Sequence, residues 1–224
     1  MRLPEHVRHL LGDYPNAIRM RGFGLAARVP ASYARGSERP VVLIPGVYER
    51  WQFLRPIADA LAARGHPVYV IPELGINTRA IPASGRRVLA ALAERDLHGV
   101  ALVAHSKGGL IGKAAMLEDV DARIDRLVAV ATPFSGSRMA FYTLLPALRV
   151  FRPTHPVIRR LVGERAVNAR ITSIQPAFDP HIPEGGDVEG GTNVRLDVVG
   201  HFRVLEDPAA IAAVIAAVER DGEG

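Results

Sequence analysis

Cysteine is absent from the 224 residues of this sequence. Its absence excludes disulfide bonds, thiolate metal sites and a cysteine nucleophile. Aromatic residues make up only 6% of the chain, so the core must consist mainly of aliphatic side chains. No window approaches the run of about 20 apolar residues that a membrane-spanning helix needs. The sequence also shows no internal repeat and no low-complexity segment, which argues against a repeat architecture or a largely disordered chain.

The residues that are present have the balance of an ordinary globular protein. Hydrophobic residues make up 48% of the chain and charged residues 23%, which suits one sizeable core. The 28 lysines and arginines exceed the 23 acidic residues, giving a net charge of +5. Because the basic residues are scattered, we expect no nucleic-acid partner. Residues 1–14 lack the apolar core of a secretory signal, so we predict a cytoplasmic protein.

Short apolar runs alternate with longer amphipathic segments from residue 41 onward. Continuous apolar runs are typical of strands buried on both faces of a parallel sheet. With right-handed crossovers, this rhythm predicts an α/β fold, with a doubly wound, mainly parallel sheet of about six strands and helices on both faces. The predicted strands are Val41–Ile44, Val68–Ile71, Val100–Ala104, Leu127–Ala131, Arg170–Ile174 and Val194–Val199, and the predicted helices are Trp51–Arg64, Ser84–Arg95, Gly108–Leu117 and Pro208–Glu219.

One long stretch interrupts this rhythm. Residues 134–165 combine large apolar side chains with interspersed arginines. We interpret them as a lid or cap inserted into a single domain over 1–224, because a connection this long is more often a functional element than a plain linker. Two surface helices packed on the core are the alternative. Residues 176–193 are rich in proline and glycine and predict a long loop.

A serine lies where the third predicted strand meets a helix. Ala104-His105-Ser106-Lys107-Gly108 is similar to the nucleophile-elbow pattern G-x-S-x-G, with alanine at the first glycine position. A tight turn here would present the Ser106 hydroxyl at the edge of the sheet, beside the positive end of a helix dipole. The alternative is a serine that only caps the helix.

Acyl-transfer chemistry also needs two amides aimed at one developing oxyanion. We predict that one belongs to Lys107, directly after the serine, and the other to Val47 or, as the weaker candidate, Tyr48. Both follow Pro45-Gly46 at the end of the first core strand, where a simple turn is the alternative reading. The Lys107 side chain itself either attracts an anionic substrate group or points to solvent.

An acid and a base follow later strands. His201 comes directly after the last predicted strand, where a general base belongs, and Asp179 follows the strand before it. The chain order Ser106, Asp179, His201 is the order stated for this elbow motif. Competing acids are Asp187 and Asp197, and competing bases are His105 and His181. We interpret His105 as structural, because the turn aims it away from the serine hydroxyl, and His181 as a loop residue.

The sequence resembles the α/β-hydrolase family and, within it, the compact lipase-like esterases, over about residues 40–220. Besides the serine, acid and base, residues 131–137 (ATPFSGS) are similar to the lipase segment G-T-P-H-x-G-S, and residues 179–183 (DPHIP) to the acid turn D-x-x-[IV]-P. Gly200-His201 followed by Leu205–Pro208 is similar to the end of the family's fold. Ala104, Pro45 and Phe134 depart from the family pattern, standing where glycine, histidine and histidine are usual.

These motifs predict a serine hydrolase that cleaves carboxylic esters of a small molecule or lipid, through an acyl-enzyme on Ser106. Tyr48, Trp51 and Phe134 are expected to line an acyl pocket, although each could equally be core. The mechanism needs no cofactor and no metal. His6 and His9 lie one helical turn apart, as metal ligands can, but a solvated helix face is the favoured interpretation.

Two alternatives remain open at this point. The same three residues could transfer an acyl group to an alcohol other than water. The chain could also be a catalytically weak protein that binds a lipid or a partner on the hydrolase scaffold, since a fold alone does not fix a function. The basic, apolar 134–165 stretch favours peripheral contact with a lipid surface in either case.

Overall fold

The computed structural model describes residues 28–220. Within them, six strands form one sheet in the order β2-β1-β3-β4-β5-β6, and every neighbouring pair is parallel. The predicted α/β fold with a doubly wound parallel sheet is therefore confirmed. The strands are β1 (Val41–Ile44), β2 (Val68–Val70), β3 (Val100–His105), β4 (Ile124–Val130), β5 (Ile171–Phe178) and β6 (Thr192–Val199).

Five α-helices among residues 28–220 cover the two faces of this sheet. Alternate side chains of the central strands point to opposite faces, so each face carries its own apolar core. One core contains side chains from α2, α3 and α4, and the other contains side chains from α1 and α5. The helices are α1 (Arg55–Ala63), α2 (Ile81–Glu94), α3 (Lys107–Glu118), α4 (Pro156–Gly163) and α5 (Pro208–Glu219).

The strand order reverses direction at β1, which has β2 on one side and β3 on the other. The chain therefore leaves β1 and β3 toward opposite faces, and in open α/β sheets such a reversal produces a crevice beyond the carboxyl ends of the strands. The register aligns Ile44 of β1 with Ala104 of β3, and Ala104 with Ala129 of β4. Three strand ends thus meet at one place, where ligands bind in open α/β sheets.

The predicted loop over residues 176–193 is wrong at both ends. β5 continues to Phe178, and β6 already begins at Thr192. Proline is tolerated at position 176 because β5 pairs with β4 only as far as Ile174, and beyond that point has β6 as its only neighbour. The acid loop between these strands is therefore shorter than its composition indicates, and both of its ends are anchored in the sheet.

Residues 134–165 hold two 3₁₀-helices, Arg138–Phe141 and Pro146–Phe151, followed by α4. Ile158 and Leu161 of α4 are buried against the core. No helix among residues 28–220 has the length and apolar character needed to cross a bilayer.

Candidate active site

Ser106 occupies the sharp turn between β3 and α3. Its backbone has φ 52° and ψ −120°, a conformation that non-glycine residues rarely adopt. Its amide donates to the carbonyl of Val130 at 2.9 Å, which fixes the turn against β4. The hydroxyl makes no capping bond to the helix, so the interpretation of Ser106 as only a helix cap is wrong. The turn instead leaves the hydroxyl at the carboxyl edge of the sheet, beside the N-terminus of α3.

Two glycines let α3 approach this edge closely. A Cβ on Gly108 would lie 2.1 Å from the Ile44 carbonyl oxygen, and one on Gly109 would lie 2.2 Å from Thr132 Oγ1. Both distances are below any contact that real side chains make. The Thr132 hydroxyl in turn donates to the Ser106 carbonyl at 2.9 Å. The absence of a side chain at both positions therefore allows α3 to lie close to the ends of β1 and β4.

Ser106, His201 and Asp179 lie side by side in the interior. His201 Nε2 is 3.0 Å from Ser106 Oγ, and His201 Nδ1 is 2.7 Å from Asp179 Oδ2. Because the carboxylate accepts a hydrogen bond from Nδ1–H, Nε2 presents its lone pair to the serine hydroxyl. All three side chains are buried, with 4–6% of their surface exposed, so little water weakens these bonds.

The second oxygen of Asp179 accepts two backbone amides, from His181 at 2.8 Å and Ile182 at 3.1 Å. Burial alone would raise the pKa of Asp179, but the neighbouring His201, with the His181 contacts, holds it below its usual range. This carboxyl is therefore ionised near neutral pH. The competing acids Asp187 and Asp197 are both exposed, and Asp187 pairs with Arg195 at 3.1 Å.

The structure distinguishes between the two candidates for the second oxyanion amide. The Tyr48 amide donates to the Ile76 carbonyl at 2.7 Å and is therefore occupied. Within residues 28–220, the amides of Val47 and Lys107 have no acceptor. Both lie at the carboxyl edge, one after β1 and the other directly after Ser106, so they remain available to an oxygen atom bound there.

The Lys107 side chain contradicts both of its predicted roles, because it is only 1% exposed and its ammonium binds backbone carbonyls. Its ammonium donates to the carbonyls of Asn77 at 2.7 Å and Arg79 at 2.5 Å. Burial lowers the pKa of Lys107 to about 8. Asn77 in turn donates from its side chain to the Pro45 carbonyl at 2.6 Å. Lys107 thus anchors the loop that supports the turn after β1.

The three predicted pocket residues do not lie together. Phe134 is 5% exposed and belongs to the core on the α3 face. Trp51 packs on the opposite face, edge to face with Tyr33 at 5.9 Å between ring centroids. Tyr48 is half-buried in the turn after β1, with φ 61°. Tyr48 and Phe134 both follow strands that end at the carboxyl edge, β1 and β4, and the Phe134 amide donates to the carbonyl of Thr132, whose hydroxyl binds the Ser106 carbonyl.

The competing bases, His105 and His181, both lie close to His201, but it is His201 that contacts the Ser106 hydroxyl. His105 is fully buried and points away from the serine hydroxyl, as predicted, toward the carboxylate of Glu49. The His181 ring lies 4.9 Å from the His201 ring, between centroids. Among residues 28–220, no three histidine, aspartate or glutamate side chains are grouped to hold a metal. His6 and His9 lie outside the described residues.

Two residues at this site escape sequence reasoning, Glu49 and Asn77. Both are buried and polar in turns rather than in an element with a readable period. The signal for Asn77 is its place two residues after Gly75, because asparagine tolerates the left-handed backbone it adopts there, with φ 53°. The signal for Glu49 is weaker: an acid in the turn that also carries a candidate oxyanion amide.

Solved structures with similar folds include lipases and hydrolases. Aspergillus fumigatus lipase B superimposes with a TM-score of 0.71 at 22% identity, over 87% of this chain and 56% of that one. The mature Bacillus licheniformis lipase BlEst2 gives 0.66 at 14% identity, over 85% and 96% of the two chains. An alpha/beta hydrolase from a sediment metagenome of the Mar Chica lagoon gives 0.61 at 16% identity, over 81% and 90%.

This chain therefore spans little more than half the length of the Aspergillus lipase. No protein-family model matches the sequence, and no curated protein matches it. At these identities the structural likeness establishes the fold, which is the α/β-hydrolase fold.

Proposed function

We propose that this chain, built on the α/β-hydrolase fold, is a serine hydrolase that cleaves carboxylic esters. The observation that carries the proposal is the hydrogen-bonded series from Ser106 Oγ to His201 Nε2, at 3.0 Å, and from His201 Nδ1 to Asp179, at 2.7 Å. A nucleophile within reach of a base, and a base oriented by a third group, is the arrangement of covalent acyl transfer.

In this mechanism Ser106 Oγ attacks the ester carbonyl while His201 Nε2 takes the hydroxyl proton. Asp179 keeps its negative charge and stabilises the imidazolium that forms. Collapse of the tetrahedral intermediate expels the alcohol, which receives the proton from His201 and leaves an acyl group on Ser106. A water molecule, deprotonated by His201, then releases the acid and restores the serine.

In this proposal two backbone amides, those of Val47 and Lys107, donate hydrogen bonds that stabilise the negative charge on the carbonyl oxygen of the tetrahedral intermediate. Their freedom from other acceptors within residues 28–220 supports that role, and the dipole of α3 adds to it. Removing one such donor typically costs about 10²–10³ in rate. Tyr48 would then contribute its side chain, rather than its occupied amide, to the rim of the acyl site.

We further propose that the chain is one domain whose residues 134–165 form a cap over the acyl site. Ser137 Oγ donates to the His181 carbonyl at 2.7 Å, and Arg138 binds Glu184, so this stretch is fastened to the acid loop beside Asp179. The structural relatives named above include two lipases, which favours an apolar acyl group in the substrate.

The outer side of this cap has the composition of a surface that contacts lipid. The segment 139–145 exposes five large apolar side chains, two of them, Tyr142 and Leu144, by more than 80%. Residues 134–165 contain six arginines and one glutamate, so their charge equals the net +5 of the whole chain. Apolar side chains flanked by basic ones fit an anionic lipid surface. The exposed members are Met139, Phe141, Tyr142, Leu144 and Leu145.

The proposal is tested with p-nitrophenyl esters of increasing acyl length and with a fluorophosphonate probe. We expect turnover with a preferred acyl length, and stoichiometric labelling that mass spectrometry locates on Ser106. Ser106→Ala should lose labelling and lower kcat by about 10⁴–10⁶-fold, because the nucleophile is removed while binding remains. A folded protein that neither turns over esters nor reacts with the probe would contradict the proposal and favour a binding protein. Product partition toward added alcohols would instead identify an acyltransferase.

A further inference from the structure

A second acid–imidazole pair lies beside the proposed catalytic residues and touches none of the reacting atoms. Glu49 is 3% exposed and His105 is fully buried. His105 Nδ1 lies 2.9 Å from both carboxylate oxygens of Glu49. Although His105 directly precedes Ser106, its ring points away from the serine, so the proposed mechanism does not use this pair.

The pair is hydrogen-bonded at both of its ends. His105 Nε2 lies 3.0 Å from the backbone carbonyl oxygen of His201, which can only accept a hydrogen bond. Nε2 is therefore the donor of this bond, while Nδ1 is joined to the carboxylate of Glu49. A buried pair of this kind is weak evidence for stability, since apolar residues often serve as well.

The carboxylate end of the pair fixes the turn after β1. Glu49 Oε2 accepts the amide of Gly46 at 2.7 Å. A Cβ at position 46 would lie 2.4 Å from Glu49 Oε1, so only glycine leaves room for this contact. The next amide along the chain belongs to Val47. Holding the Gly46 amide therefore limits the directions in which the Val47 N–H can point.

The imidazole end of the pair fixes the loop that carries the base. His105 donates to the backbone of His201, and the two rings lie 4.7 Å apart between centroids. His201 is thus held at its carbonyl as well as through its Asp179 bond. This buried pair consequently links the turn after β1 to the loop after β6 that carries His201, and His105 itself is joined through the chain to Ser106.

We infer that Glu49 and His105 are positioning residues that keep the Val47 amide and the His201 imidazole in register with Ser106. This inference rests on the proposed function, because it assigns the pair a part in the geometry of that site. Three loops from distant parts of the sequence must hold their relative positions to within a fraction of an ångström for such a site to work.

The kinetic test uses Glu49→Gln, which keeps the side-chain length but removes the charge that His105 faces. We expect kcat for p-nitrophenyl esters to fall by about 10–100-fold, with KM changed less than threefold, because misplacement affects the transition state more than substrate binding. His105→Asn should give a similar split. If both variants keep the kcat of the parent protein, the inference is wrong.

The chain offers a matched control pair at the opposite edge of the sheet. His66 is 2% exposed, its Nδ1 lies 2.9 Å from the Arg39 carbonyl, and its Nε2 lies 3.6 Å from Glu219. His66→Asn and Glu219→Gln therefore remove a comparable buried histidine and its acid far from Ser106. We expect both controls to keep kcat. Equal losses in the controls and in the Glu49 and His105 variants would reduce the effect to general destabilisation and overturn the inference.

A second readout does not depend on ester cleavage. The proton on His201 Nδ1, bonded to Asp179, should give a low-field NMR signal, assigned by its loss in Asp179→Asn. We expect it to exchange with water at least tenfold faster in Glu49→Gln and His105→Asn, and unchanged in the two controls. If the parent protein cleaves no ester and binds no probe, the proposed function fails, while this exchange rate still decides the positioning role. An unchanged exchange rate would overturn it.

Should both variants fail to fold, Gly46→Ala perturbs the same contact without removing either charged group. Its Cβ would push against the Glu49 carboxylate. The expected result is the same kcat loss and faster exchange, and parent values of both would contradict the inference.

Discussion

Two adjoining regions of this molecule place polar and apolar side chains in opposite ways. Around Ser106 the ionisable side chains of Glu49, His105, Asp179 and His201 are buried, and each is hydrogen-bonded to a neighbour. In the 139–145 segment, large apolar side chains are exposed to solvent. A buried polar group is costly unless it is paired, so the first region is held in one arrangement. An exposed apolar group constrains nothing until a partner covers it, and the second region is the one that we propose for lipid contact.

Among the substitutions that leave Ser106 in place, the largest expected effect lies in the buried region, at the acid. Asp179→Asn should lower kcat by about 10³–10⁴-fold, because a neutral amide neither stabilises the imidazolium nor selects the correct tautomer. The measurement is ester turnover near pH 7.5, with probe labelling as a second readout. Asp187→Asn is the matched control in the same loop, since Asp187 is exposed and pairs only with Arg195 among the described residues. Equal losses in the two variants would remove Asp179 from the mechanism.

Two buried lysines of α3 should make the stability of the protein depend on pH. Lys107 and Lys113 are both buried, and burial lowers the pKa of each to about 8. An unfolded lysine keeps its proton up to a pKa of about 10.4, so between about pH 8 and 10.4 the unfolded chain binds more protons than the folded one. Stability should therefore rise with pH in this window relative to Lys107→Met or Lys113→Met, by about 1–3 kcal/mol.

Only one of these lysines should matter for activity. Lys107→Met removes the donors to Asn77 and Arg79 and so frees the loop that supports Pro45, and we expect about a tenfold loss of kcat. Lys113→Met should leave kcat unchanged, because no side-chain bond joins Lys113 to that loop within residues 28–220. Urea unfolding from pH 7.5 to 10.5, with turnover at pH 7.5, measures both effects. A pH-independent stability difference, or equal activity losses, would contradict this assignment.

The smallest expected effect on folding lies in the exposed segment. Leu144→Ser should change the free energy of unfolding by less than about 0.5 kcal/mol, because the side chain is 85% exposed. It should lower the affinity for phosphatidylglycerol vesicles, measured by co-sedimentation, by about tenfold, because one apolar side chain is lost from the lipid contact.

The control for that variant is Val120→Ser, since Val120 is 93% exposed in the turn before β4, at the opposite edge of the sheet. It should leave vesicle binding unchanged. Equal binding to anionic phosphatidylglycerol and zwitterionic phosphatidylcholine vesicles would show that the arginines do not contribute to vesicle binding. Binding that survives Leu144→Ser would place the lipid contact elsewhere.

Much of the site could be predicted because its main residues follow strands. Ser106 and His201 each come two residues after the end of a predicted strand, and strand ends converge at one edge whatever the loops do. Asp179 could be assigned for the same reason, although its strand extends four residues beyond the predicted end. That error was harmless because the acid still follows the strand.

The pocket and the supporting contacts could not be predicted in the same way. Trp51 and Phe134 are both aromatic residues near strand ends, yet they pack on opposite faces of the sheet. Lys107 has the sequence environment of a surface cation, yet its ammonium binds two carbonyls in the interior. Such placements depend on the path of a neighbouring loop, and the sequence of a loop has no periodicity from which that path could be predicted.

Adjacent residues alone predict the alternation of strands and helices, the sharp turn at Ser106 and the places of Asp179 and His201 after strands, because periodicity and turn chemistry are local properties. The packed fold was needed to show that Glu49 meets His105 across 56 positions of the chain, that the Tyr48 amide is occupied, and that the Lys107 side chain is buried. These contacts form between loops whose relative positions are set by the packed sheet, so no stretch of neighbouring residues contains them.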